Sequence, residues 1–276
     1  MISIVTNSPS LEGQRHLGAS NMKQSQALQR LSTGYRINSA MDDAAGLGVS
    51  EGMRAQIRGL AQASRNAMDG LSVVQTAEGA MGEIANALIR MRELTVQSAS
   101  DTISDVQRQY LNTEFQDLTA EIDRIAATTK FNGNTLLDGT FSTSGLDFQV
   151  GFESGANFRI TVNISDVSST GLAFAGTEAV DTKANSQSCM AVIDTALTTL
   201  SNARADLGAK GNRLVMASEG ADHIKENLSA ANSRIRDTDM AVETSNLARA
   251  QVLAQAGTAM LAQANSAPLQ LLRLIQ

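Results

Sequence analysis

The chain has 276 residues, a net charge of −6 from 22 Lys+Arg against 28 Asp+Glu, a single cysteine, no tryptophan and 3% aromatic residues. An acidic balance gives no reason to expect nucleic acid or an anionic membrane surface as partner, and so few aromatics leave no base-stacking platform. A lone Cys189 excludes an internal disulfide framework and a zinc cluster, and no apolar run approaches membrane-spanning length, so membrane insertion is not expected.

The start, Met1 to Asn7, has no basic n-region, no long apolar core and no cleavage site, so the general secretory route is not signalled. Both prolines, Pro9 and Pro268, stand near the margins. Since an interior proline costs a helix about 3 kcal/mol, everything between them can be helical. The spacing predicts a first helix over 11–33 with a thin stripe of Leu17, Leu28 and Leu31, stopped by Gly34 with Arg30 in its last turn. A polar connection follows, in which Asp42 and Asp43 can cap the next helix.

That second helix is predicted over 44–100. Leu60, Ala67, Val74, Met81 and Leu88 recur every seven residues, joined by Leu71 on one side and by Ile84 and Met91 on the other. Gly59, Gly70, Gly79 and Gly82 each cost up to about 1 kcal/mol against alanine, a penalty that close helix contact offsets. A third helix over 104–127 carries Leu111, Phe115, Leu118, Ile122 and Ile125 in one-sided spacing.

Texture changes at Lys130. Six of the seven phenylalanines lie between Phe131 and Phe174, among Gly, Ser, Thr and Asn. Leu146, Phe148, Val150 and Phe152 alternate with polar residues or glycine, as do Phe158, Ile160, Val162 and Ile164, and Glu153-Ser-Gly-Ala-Asn157 lies between them. That pattern predicts a hairpin with one apolar face to lay on the helices. From Ile193 the chain places an apolar residue at every seventh position: Leu200, Leu207, Leu214, Ala221, Leu228, Ile235 and Val242. The repeat spans about seven heptads, roughly 75 Å at 1.5 Å per residue, more than the ~50 Å of a compact fold of this length. Its second position is poor, with Ala203, Arg204, Lys210, Gly211, Ala217 and Ser218, which points to a slim bundle rather than a strict two-stranded zipper. Asp237 or Asp239 can cap a restarted helix, expected to run to about Ala264, ahead of an apolar tail of Leu269, Leu271, Leu272, Leu274 and Ile275.

The order is helix, long helix, short insert, long helix, helix, with terminal stripes that find no cover inside one subunit. Such ends favour head-to-tail assembly, and a rotation that does not close gives a helical filament. The fold class expected is mainly α: an elongated rod of long coiled-coil-like helices with a small β-hairpin region.

Leu31-Ser-Thr-Gly-Tyr-Arg-Ile-Asn-Ser-Ala-Met-Asp-Asp-Ala-Ala-Gly46 and Gly59-Leu-Ala-Gln-Ala-Ser-Arg-Asn-Ala-Met-Asp-Gly70 closely resemble the N-terminal signature of bacterial flagellins. Ser233-Arg-Ile-Arg-Asp-Thr-Asp239 and Ala248-Arg-Ala-Gln-Val-Leu-Ala-Gln-Ala-Gly257 resemble the C-terminal one. The resemblance implies an inner-tube domain made of 1–45 and 237–276, with the termini paired as helices in the assembled filament. It further implies outer-tube helices over 46–130, a β-hairpin region over 131–180 and a long C-terminal helix over 181–236. The short stretch between Lys130 and Asp181 implies that the outer knob domains of longer flagellins are lacking.

The same resemblance implies a secreted, extracellular homo-polymer exported unfolded through the flagellar type III apparatus. It implies a flagellar secretion chaperone on the C-terminal helix, filament cap and hook-junction proteins as neighbours, and recognition by an innate immune Toll-like receptor. The run matching the receptor contact set is Leu88-Ile-Arg-Met-Arg-Glu-Leu94, with Glu114 on the next helix, so Arg90, Leu94 and Glu114 are the candidate subunit and receptor contacts. Without a receptor, Arg90 and Glu114 read as solvated or inter-subunit charges and Leu94 as packing. Assembly is expected to rest on Leu17, Leu28, Leu31, Val252, Leu271, Leu272, Leu274 and Ile275. The alternative within the superfamily is a hook–filament junction protein, and a monomeric coiled-coil adaptor is the alternative outside it.

No enzyme is expected. His16 and His223 belong to no ligand pair, Asp42 and Asp43 read as caps rather than a catalytic or cation-binding pair, and Cys189 has no base at useful spacing. No cofactor or metal is implied.

Overall fold

The computed structural model describes residues 6–174 and 178–275, with side chains described as far as residue 266. Five helices, α1 (Ser8–Thr33), α2 (Ala44–Ser98), α3 (Asp105–Thr128), α4 (Lys183–Arg236) and α5 (Met240–Ile275), carry most of it. Between α3 and α4 lie strands β1 (Lys130–Phe131), β2 (Asn134–Thr135), β3 (Leu146–Gln149) and β4 (Arg159–Val162). The chain divides into two compact units, Met1–Ala55 with Asn227–Gln276, and Gln56–Glu226.

In the Gln56–Glu226 unit, α2 buries Leu60, Ala63, Ala67, Gly70, Val74, Ala77, Met81, Ile84, Leu88, Met91, Thr95 and Ser98. The steps alternate three and four without a break, which is the seam of one helix lying along another. Its partner is α4, antiparallel to it: Ser64 pairs with Ser218 at 3.0 Å, Arg92 with Asp194 at 2.8 Å, and Ser186 donates to Ser98 at 2.9 Å. On α4 the seven-residue row is buried from Ile193 to Ala221, while Leu228 is half-buried and Val242, beyond the end of α4, is 55% exposed. The poor second position proves to be the place of close approach. Ala196, Ala203, Gly211 and Ser218 are all buried there, and a Cβ built on Gly211 would lie 3.5 Å from Val74.

The third helix packs through Phe115, Ile122 and Ala126 and is tied to α2 by a buried arginine. Arg108 donates to the carbonyls of Ser98 (2.9 Å) and Ser100 (2.8 Å), so a guanidinium satisfies the orphan acceptors at the end of α2. Ser104 and Gln107 close the start of α3 as a reciprocal capping box.

The expected hairpin forms, with Leu146 opposite Val162 and Phe148 opposite Ile160. A second, tighter one, β1 with β2, turns on Asn132 (φ 47°) and Gly133 (φ 85°). The Asn-Gly pair is a strong short-range hairpin signal that the periodicity reading passed over. The larger hairpin also accounts for two of the α2 glycines singled out by sequence. A Cβ on Gly70 would come within 2.9 Å of the Phe148 ring, and one on Gly59 within 2.9 Å of the Phe152 Cβ. The approach is by the hairpin and not, as expected, by a helix, and Gly79 and Gly82 meet nothing within 4 Å.

Candidate functional site

The Met1–Ala55 and Asn227–Gln276 unit is built on α1 and α5, which pair antiparallel within one chain, so the terminal stripes have partial internal cover where none was expected. Their contact is lined by small residues. Ala27 and Ala250 are 2% and 4% exposed, a Cβ on Gly13 would lie 3.4 Å from Leu261, and one on Gly257 would lie 3.4 Å from Leu17. Each helix thus offers a glycine to the other's leucine, and a stripe too thin for a large core suits this narrow contact.

Polar groups hold both ends of the pair. At one end Ser10, 7% exposed, donates to Asn265 at 2.8 Å, and the Asn7 amide donates to the Ala264 carbonyl at 2.9 Å. At the other, Arg30 lies 3.9 Å from both Asp42 and the buried Glu243. The α1–α2 connection is then stitched to the junction between α4 and α5. Arg36 N–H donates to the Arg236 carbonyl at 2.6 Å, Thr238 N–H donates to the Gly34 carbonyl at 3.0 Å, and Tyr35 forms an isolated antiparallel bridge with Asp237. The Arg236 guanidinium sits 4.5 Å over the Tyr35 ring and 2.6 Å from Glu51, so one cation closes an aromatic and an acidic contact together. Gly34 is left-handed at φ 76°, the conformation its place after α1 requires.

Of the carboxylates expected as caps, Asp43 and Asp239 cap helices, whereas Asp42 turns back to the connection before α2. Asp43 accepts from Gly46 N–H at 2.9 Å at the start of α2, and Asp239, rather than Asp237, accepts from Ala241 and Val242 at the start of α5. Asp42 accepts from the Ser39 and Asn38 amides, and that bonding, Ser39 first, holds its carboxyl below the usual range. Burial pushes the Cys189 thiol up, which disfavours the thiolate a nucleophile needs.

Of the expected assembly residues, Leu17 and Leu31 are partly buried, whereas Leu28 (49%) and Val252 (64%) are exposed. Leu11, Met22, Leu253 and Met260 are also exposed, and Leu253 and Met260 line a groove of about 840 Å³ along the α1–α5 pair together with His16, Lys23 and Arg249. The side chains of Leu271, Leu272, Leu274 and Ile275 lie outside the described residues. Two boundaries differ from expectation. The first helix begins at Ser8 rather than 11, because Asn7 caps it by accepting from Ser10 N–H at 3.2 Å and Pro9 is tolerated in the first turn. The last continues past Ala264 and through Pro268 to Ile275.

On α2, Arg90 is exposed and bonded to Glu114 at 2.8 Å and to Glu93 at 2.9 Å. Leu94 is 0% exposed, so its side chain offers nothing to a partner; the third candidate contact is core packing. The exposed apolar groups between the two α2–α3 cross-links are instead Val96 (50%) and Tyr110 (71%). An apolar residue at a non-seam position was the signal available for them.

Residues 4–142 match the family profile described as bacterial flagellin N-terminal helical region, and residues 190–275 match that of the bacterial flagellin C-terminal helical region. The sequence is 46% identical over 270 residues to the flagellin of Halalkalibacterium halodurans, covering 98% of each chain. It is 40% identical over 281 residues to the flagellar filament 31.3 kDa core protein of Treponema maltophilum, again covering 98% of each. Among solved structures, the Bacillus cereus flagellin crystal structure superposes with a TM-score of 0.50 at 32% identity, over 57% of this chain and 88% of that one.

Proposed function

The chain belongs to the bacterial flagellin family, and from that premise we infer that it is a structural subunit that self-assembles into the extracellular helical filament of the bacterial flagellum. The observation that carries this reading is the pairing of family-matched terminal helices that still leave Leu11, Met22, Leu28, Val252, Leu253 and Met260 exposed. An isolated chain gains nothing from such exposed apolar side chains, whereas a polymer that covers them gains at every added subunit. A hook–filament junction protein is the second reading, disfavoured by 46% identity to a flagellin along its whole length. Purified subunits offered short filament seeds separate the two. Growth that continues as long as subunits remain is the expected result, and a single added layer would overturn the filament reading.

On this reading 1–45 and 237–276 are the inner-tube segments, 46–130 and 181–236 the outer-tube helices, and 131–180 the hairpin region. The subunit travels through the flagellar type III apparatus, with a secretion chaperone covering α5 before export, and meets filament cap and hook-junction proteins at the polymer ends. Arg90 and Glu114 are proposed as contacts to the next subunit and, in the free monomer, to a Toll-like receptor; their mutual ion pair and exposure support this role. Arg90→Glu places a third carboxylate beside Glu93 and Glu114 and is expected to lower receptor-reporter activation by monomer at least about tenfold, in line with loss of a charged contact. An unchanged reporter response removes Arg90 from the contact.

A further inference from the structure

Pro268 lies within α5, where a residue's N–H ordinarily donates to the carbonyl four positions earlier. Proline has no N–H, so the carbonyl of Ala264 has no helical donor. That same carbonyl receives the amide Nδ2 of Asn7 at 2.9 Å, from the opposite end of the sequence. The other half of the Asn7 side chain is also in use, since Oδ1 accepts from Ser10 N–H at 3.2 Å and closes the start of α1. One asparagine therefore repairs two helix defects, an orphan donor on α1 and an orphan acceptor on α5.

We propose that Asn7 and Pro268 form a matched pair that fixes the register of α1 on α5, Pro268 freeing an interior carbonyl and Asn7 bringing the donor that meets it. A narrow contact of Ala27, Ala250 and paired glycines and leucines discriminates weakly against sliding, because small residues recur along both helices. Sliding α1 by a heptad brings the amide against a carbonyl that already accepts from its own helix, and it leaves Ala264 without a donor. The wrong register thus loses a hydrogen bond and leaves the partly buried Ala264 acceptor without its protein donor. Ser10 and Asn265, bonded at 2.8 Å one position further on, extend the lock.

The idea goes beyond filament formation and is read without it. Amide exchange at Ala250–Asn265 is measured in the full-length chain, under conditions that protect the wild-type helix, for Asn7→Ser, Pro268→Ala and the double variant. Serine caps a helix about as well as asparagine but brings no amide donor to Ala264. Asn7→Ser is expected to speed exchange about three- to tenfold, the worth of one hydrogen bond, while the same change made on Pro268→Ala speeds it less than about twofold. Equal acceleration in both backgrounds means that Asn7 is a plain cap and overturns the pairing, as does no acceleration in either. Asn7→Asp gives a second reading. It keeps the cap but turns an acceptor toward the Ala264 carbonyl, so wild-type protection in that variant also overturns the proposal.

Discussion

Truncating Leu214 to alanine is expected to destabilise the Gln56–Glu226 unit by about 2–5 kcal/mol, whereas the same change at Leu228, which lies just outside that unit on the same helix, should cost about 1 kcal/mol. Leu214 is 0% exposed, whereas Leu228 is half-buried near the end of the seven-residue row. The difference lies in what can refill the space. Three residues before Leu214, a Cβ built on Gly211 would lie 3.5 Å from Val74 and 3.6 Å from Leu71, so the seam beside Leu214 is lined by packed side chains that fill a new cavity only by shifting from their present places. At Leu228, water can occupy what the missing methyls vacate. Denaturant midpoints for the two variants check this, with the slope compared to confirm that one cooperative transition is followed. Equal losses at the two sites would mean that the row is not graded in burial, and no loss at Leu214 would contradict its place in the core.

What could be seen in the sequence was whatever repeats. The seven-residue rows of α2 and α4 were legible because burial along a long helix pair leaves a period that no short motif can imitate, and the alternation of 146–152 with 158–164 was legible for the same reason. Leu94 shows the limit of reading by resemblance. Counting by sevens from Val73 gives Ala80, Ala87 and Leu94, a second apolar row beside the main seam, so arithmetic alone marks Leu94 as core. Isolated signals were harder. Asn132-Gly133 and the Asn7 cap each depend on two or three residues, and a stripe search averages them away. Least legible were facts that join distant segments. Nothing local to Arg236 announces Tyr35 or Glu51, and nothing local to Pro268 announces Asn7, because the groups that answer them are supplied by the far end of the chain.

The largest effect on assembly is expected from the tail. Deleting residues 269–276 removes Leu269, Leu271, Leu272, Leu274 and Ile275, and burial of each such side chain is worth roughly 1.5–3 kcal/mol before the entropy of ordering is subtracted. In a polymer that gain recurs at every subunit, so even a small surplus per contact sets a low critical concentration. The Gln56–Glu226 unit, whose core uses none of these residues, should keep its thermal midpoint within about 1–2 °C, since changes remote from a core leave its stability nearly unaltered. Elongation from seeds should fall by at least about tenfold, the consequence of losing 1.4 kcal/mol per added subunit. A competing account holds that the leucines serve only a secretion chaperone, in which case they matter before export and not in the filament. Purified truncated protein bypasses export and tests the two directly: growth at the full-length rate and critical concentration assigns the tail to the chaperone, whereas failure to elongate with an intact core assigns it to the subunit interface.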